Sequence, residues 1–108
     1  MKLFDALNQM SHEFTGAKDR GIFKVFVSDG KMPCRLVLVI DAEKLTFSAH
    51  DNKYGWTKNG DEAGYTLSIA LMSGYEVSRL EWHGIDRITG LDDKICYYDE
   101  TAEEWHSL

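Results

Sequence analysis

The chain has 108 residues and a formal net charge of −6, and 44% hydrophobic with 28% charged residues places it among single globular domains rather than disordered chains. The longest apolar run, Leu36 to Ile40, falls far short of the roughly 18 residues of a membrane-spanning helix. The first residues, Met1-Lys2-Leu3-Phe4-Asp5, lack the continuous apolar stretch of a secretory leader, so a cytoplasmic location and no membrane partner are expected.

In chain order, Leu3, Leu7, Met10 and Phe14 recur at spacings of four, three and four. That period predicts an amphipathic helix over residues 2–15, with Gly16 as its stop. Residues 21–28 are rich in β-branched and aromatic side chains and predict a strand. Asp29-Gly30 follows as a two-residue hairpin signal, because glycine accepts positive φ at no steric cost. Residues 35–41 are apolar on both faces and predict an internal strand. Residues 44–50 alternate, with Leu45, Phe47 and Ala49 on one face. Residues 51–64 are irregular, with turn signals at Gly55, Asn59-Gly60 and Gly64, and with Tyr54 and Trp56 as a short strand.

Residues 65–82 admit two readings. Tyr65, Leu67, Ile69 and Leu71 alternate with smaller or polar residues, which favours two strands around Ser73-Gly74. The spacing of Ala70, Gly74 and Leu80 is similar to that of a helix-turn-helix. Arg79 is the single basic residue between Lys58 and Arg87, too few for phosphate contacts, so direct DNA binding is disfavoured. Residues 85–98 predict a further hairpin, and Thr101 with Glu104 predicts a capped helical turn near the end. The whole reads as one domain, residues 1–108, of the α+β class. Its N-terminal amphipathic helix packs on an antiparallel, largely meander-connected sheet.

Motifs of known chemistry are lacking. The four histidines, His12, His50, His83 and His106, are scattered rather than paired, so no metal site is expected. No glycine-rich phosphate loop or nucleophile elbow occurs, so no cofactor is expected either. Cys34 and Cys96 read as reduced thiols in a chain without an export signal. Glu81, His83 and Asp86 place two acids and an imidazole close in sequence, enough to assemble a general acid/base pair.

Charge is unevenly spread. Residues 92–108 carry Asp92, Asp93, Asp99, Glu100, Glu103 and Glu104 against Lys94 alone, whereas residues 1–91 are nearly balanced. Tyr98 and Trp105 are interleaved with these acids. Acids steer a basic partner and aromatics anchor it. The expectation is therefore a small acidic, non-enzymatic binding protein engaging a protein with a basic surface, in the manner of bacterial or phage inhibitors and immunity proteins, by analogy of format alone. Tyr54 and Trp56 are the second candidate contact. The alternative is a small enzyme or ligand-binding domain using Glu81, His83 and Asp86.

Overall fold

The computed structural model describes residues 1–14, 20–41, 44, 46–85, 92–99, 101–102 and 104–107. Among them the chain is an α+β fold with two helices and a seven-stranded antiparallel sheet.

Helix α1 spans Leu3–Phe14. Leu3 and Ala6 are buried, and Phe4, Asp5 and Asn8 on the same turns are exposed. Strand β1, Arg20–Ser28, lies in the middle of the sheet. Phe23, Val25 and Val27 alternate into the core while Ile22, Lys24 and Phe26 take the other face. Strand β2, Leu36–Asp41, pairs with β1 in a register that sets Leu38 beside Val25. The connection is longer than the two residues predicted. Asp29 Oδ1 accepts the amides of Lys31 and Met32, each at 2.8 Å, so the aspartate opens a loop over residues 29–35 instead of sitting in a tight turn. Gly30, at φ 90°, supplies the left-handed residue this loop needs.

Strands β3 (Thr46–Asp51) and β4 (Trp56–Asn59) continue outward from β2 to one edge. The chain then enters helix α2, Asp61–Met72, and returns as β5, Glu76–Ile85, on the far side of β1. Strands β6 (Asp92–Asp99) and β7 (Glu104–Ser107) complete the order β4-β3-β2-β1-β5-β6-β7. Sequence neighbours pair throughout except between β4 and β5, where α2 carries the chain back across three strands. Every neighbouring pair is antiparallel, so β4 and β5 run the same way, which is why a helix rather than a hairpin joins them.

This corrects the reading of residues 65–82. Residues 65–72 are helix, not strand, and Ser73-Gly74 leads into a strand, so no helix-turn-helix forms. Alternation misled because α2 is apolar on more than one side. Ala63 and Ala70 are buried inward while Tyr65, Ile69 and Met72 point outward, so the helical period is masked and the chance alternation at 65–71 reads as a strand. Asp61 and Glu62 in the first turn favour the helix through its dipole.

The C-terminal end differs too. Asp99 Oδ1 accepts the amides of Thr101 (3.0 Å) and Ala102 (3.2 Å), turning the chain. Residues 104–107 then pair with β6 as a strand instead of forming a helical turn. The turn of the hairpin predicted over residues 85–98 falls partly outside the described residues.

One cluster holds the layers together. Leu3 and Ala6 of α1 and Ala63 and Ala70 of α2 share it with Phe23, Val25, Leu36, Leu38, Ala49, Leu80 and Trp82 from the sheet. Backbone pairing ties the first residues to it as well: Val77 N donates to Met1 O at 2.7 Å, where β6 does not reach. Gly21 is the one close approach in β1, since a Cβ there would collide with the indole of Trp82. Cys34 and Cys96 are both free thiols. Among the described residues no helix is long and apolar enough to cross a membrane.

Candidate functional site

The site begins with a buried ion pair. Asp51, at the end of β3, is 2% exposed. Its carboxylate accepts Nε and Nη2 of Arg35 at 3.2 Å and the amides of Lys53 (2.8 Å) and Tyr54 (3.1 Å). Arg35 reaches Asp29 through Nη1 at 3.0 Å. One guanidinium therefore links the β1–β2 loop to the β3–β4 turn, and all three groups are fixed by charge-assisted bonds. Burial alone would raise the carboxyl of Asp51, but the bonds from Arg35 and the two amides outweigh it and hold it below the usual range. The amides of Met32 and Lys31, with Arg35, pull Asp29 down to about 2. Asp51 in turn raises Arg35 above its ordinary value, against the opposing effect of burial.

This anchor shapes the turn at residues 52–55, which Gly55 at φ 73° closes. Tyr54 is thrown outward, 65% exposed. The guanidinium of Arg35 lies 5.3 Å from its ring centre and Lys53 Nζ 5.4 Å. Trp56 opens β4, with Lys58 Nζ 5.6 Å from its ring. Both rings thus already carry the chain's own cations, which opposes a further cation entering between them.

Helix α2 forms the facing wall. A cleft of about 620 Å³ runs between it and the β3–β4 end of the sheet, within the size range of ligand and side-chain pockets. Leu36 and Ala70 line its depth. Tyr54 and Trp56 stand on the sheet side, Tyr65 and Ile69 on the helix side, and Tyr75 just beyond α2. Asp61 and Glu62 are exposed among the lining residues, and Glu62 lies 3.6 Å from Lys58. Outside the cleft the apolar surface continues along α2. Tyr65, Ile69 and Met72 are 70%, 45% and 88% exposed, one stripe at spacings of four and three. No lysine or arginine occurs in α2.

The residues singled out from sequence divide into three groups. Tyr54 and Trp56 come together in the cleft. Tyr98 and Trp105 sit elsewhere, paired across β6 and β7 with ring centres 5.4 Å apart and packed on the core, with Phe23 6.4 Å from Trp105. Asp99 is used by its own turn and lies 3.4 Å from His106, and Glu104 is exposed. The side chains of Asp92 and Asp93 on β6, and residues Glu100 and Glu103, lie outside what the structure describes. Glu81 Oε1 is 2.7 Å from His83 Nε2, and Glu81 also bonds Arg79. Arg79 and His83 outweigh burial and keep the Glu81 carboxyl below the usual range. Neither Glu81 nor His83 lines the cleft, and Asp86 lies outside the described residues. Among the described residues no group of three metal-ligating side chains gathers.

Sequence reasoning missed Arg35, Asp51, Tyr65, Ile69 and Met72. The available signal was α2 itself, whose apolar residues exceed what one buried face needs. No known protein family matches the chain, and no curated protein or solved structure matches it.

Proposed function

We propose that this chain is a small acidic, cytoplasmic binding protein, non-enzymatic and of inhibitor or immunity type, that docks a protein with a basic surface on the outer face of α2 and the adjoining cleft. One observation carries the reading. Tyr65, Ile69 and Met72 form an exposed apolar stripe on a helix whose other side is already committed to the core. A helix apolar on both sides is ordinarily covered on both, and exposed patches of this kind mark interaction sites. Asp61, Glu62 and the chain's net charge of −6 supply the sign of the partner. The acids of the C-terminal strands, Asp99 and Glu104 among them, add to the field that steers it.

The experiment is a comparative capture from native lysate, with partners quantified by mass spectrometry. The bait is either the wild-type chain or the double variant Tyr65→Ser, Ile69→Lys. These positions are exposed, so circular dichroism is expected to be unchanged by substitution. A basic protein enriched by the wild type and lost by the variant supports the reading. Identical captures from both baits sink it.

A further inference from the structure

We infer that the segment seated on α2 is an amphipathic helix of the partner, with one large apolar side chain in the cleft and basic residues beside Asp61 and Glu62. The inference rests on the docking face proposed above and specifies what occupies it.

Tyr65, Ile69 and Met72 stand four and three residues apart, the interval at which helices present a seam to one another. A second helix laid along this seam at a shallow angle would bury all three. Beside them Thr66 and Ser68 are small and uncharged, which allows close approach. At about 1.5 Å per residue the seam is roughly 10 Å long, two helical turns.

Tyr65 and Ile69 belong both to the seam and to the cleft wall. A side chain projecting from a helix on the seam therefore has the cleft within reach. Its guest is apolar, because the rings of Tyr54 and Trp56 are already stacked by Arg35, Lys53 and Lys58, and the Arg35 guanidinium is already bound to Asp29 and Asp51.

Charge complementarity selects the source. Asp61 and Glu62 bound the seam at its N-terminal end. The seam itself contains no base. Two copies of this chain facing each other across α2 would bring acids toward uncharged or acidic ends, and each carries −6. A helix bearing lysine or arginine beside Asp61 and Glu62 meets opposite charge there.

The test uses three synthetic peptides of about fourteen residues, long enough to form helix on binding. One has leucine at seam positions and lysine elsewhere. The second replaces every lysine by glutamate. The third keeps the lysines but carries a central proline, which breaks a helix. Binding is read by fluorescence anisotropy at about 0.15 M salt, against wild type, Ile69→Lys and the double variant Asp61→Lys, Glu62→Lys. The lysine peptide is expected to bind wild type at least about tenfold more tightly than either variant, and the proline peptide at least about tenfold more weakly than its parent. Equal binding of the proline peptide overturns the helical inference and leaves the basic-partner reading standing. Equal binding of the lysine and glutamate peptides removes the basic partner itself. Sedimentation of wild type as a dimer that Ile69→Lys converts to monomer overturns the inference in favour of a second copy.

Discussion

Two regions of this molecule combine acids with aromatic side chains, and they use them in opposite ways. In the β6–β7 pair, Tyr98 and Trp105 turn onto the core and Asp99 caps a turn. Around α2, Tyr54 and Tyr65 are 65% and 70% exposed, with Asp61 and Glu62 beside them. Composition marks the first region as the binding surface, and geometry favours the second. The difference lies in pairing. Strand β6 gives Trp105 a cross-strand partner, Tyr98, and the ring a core to cover, whereas the outer face of α2 has nothing packed on it among the described residues.

The comparison breaks most forcefully at Asp51, because the cleft depends on it. Asp51→Asn leaves the largely buried Arg35 without its main counter-charge. We expect a loss of about 3–5 kcal/mol in urea unfolding. The acid limb follows from the same residues. Both Asp29 and Asp51 are held below their ordinary values in the folded chain, so their contribution is fully present above the unfolded carboxyl value of about 3.9. It fades as pH falls from there through the folded value, about 2 for Asp29. Wild type should therefore lose stability between about pH 4 and pH 2, and Asp51→Asn should flatten that limb. An acid limb unchanged in the variant would mean the ion pair does not hold the cleft.

Next in size is the contrast between the aromatics themselves. Trp105→Ala is expected to cost about 2–4 kcal/mol, since it removes a ring packed on Tyr98, Phe23 and the core. Tyr65→Ala should stay within about 0.5 kcal/mol, as expected of a surface position. Chemical denaturation of the two variants decides between the regions directly. If Tyr65→Ala costs as much as Trp105→Ala, α2 is held by its outer face and that face is not free for a partner.

Much of the fold was legible in the residues. The period of Leu3, Leu7, Met10 and Phe14, the β-branched run at 21–28 and the segment at 35–41 each fall on an element of the expected type, α1, β1 and β2. Helix α2 was illegible for the reason that makes it interesting: its second apolar face meets no packing partner among the described residues, and its large apolar residues on both sides mask the helical period. The tail was misread because a local capping signal at Thr101 and Glu104 competed with long-range pairing to β6, and pairing won by placing Trp105 on the core. Tyr54 and Trp56 were legible as a candidate contact, being rings in a polar, glycine-rich stretch. Arg35 and Asp51 were not, since 16 residues separate them and nothing local announces their union.

The smallest expected effect concerns Glu104, and it locates the C-terminal strands relative to the interface. Glu104 is exposed and reaches His106 at 3.5 Å. An exposed pair of this kind contributes little, so Glu104→Lys should change stability by less than about 0.5 kcal/mol. Its effect on binding depends on where it lies. If the partner docks on α2, Glu104 acts only through the field, which is screened beyond about 10 Å at 0.1 M salt. Association of the basic partner should then slow at low salt, recover its wild-type rate as salt rises, and leave the dissociation rate untouched. Stopped-flow association at two salt concentrations, with dissociation by competition, separates these terms. A faster dissociation rate in Glu104→Lys would place the β6–β7 pair inside the interface and reverse the ranking of the two regions. An association rate insensitive to salt in both proteins would instead make the C-terminal acids a solubilising surface with no part in recognition.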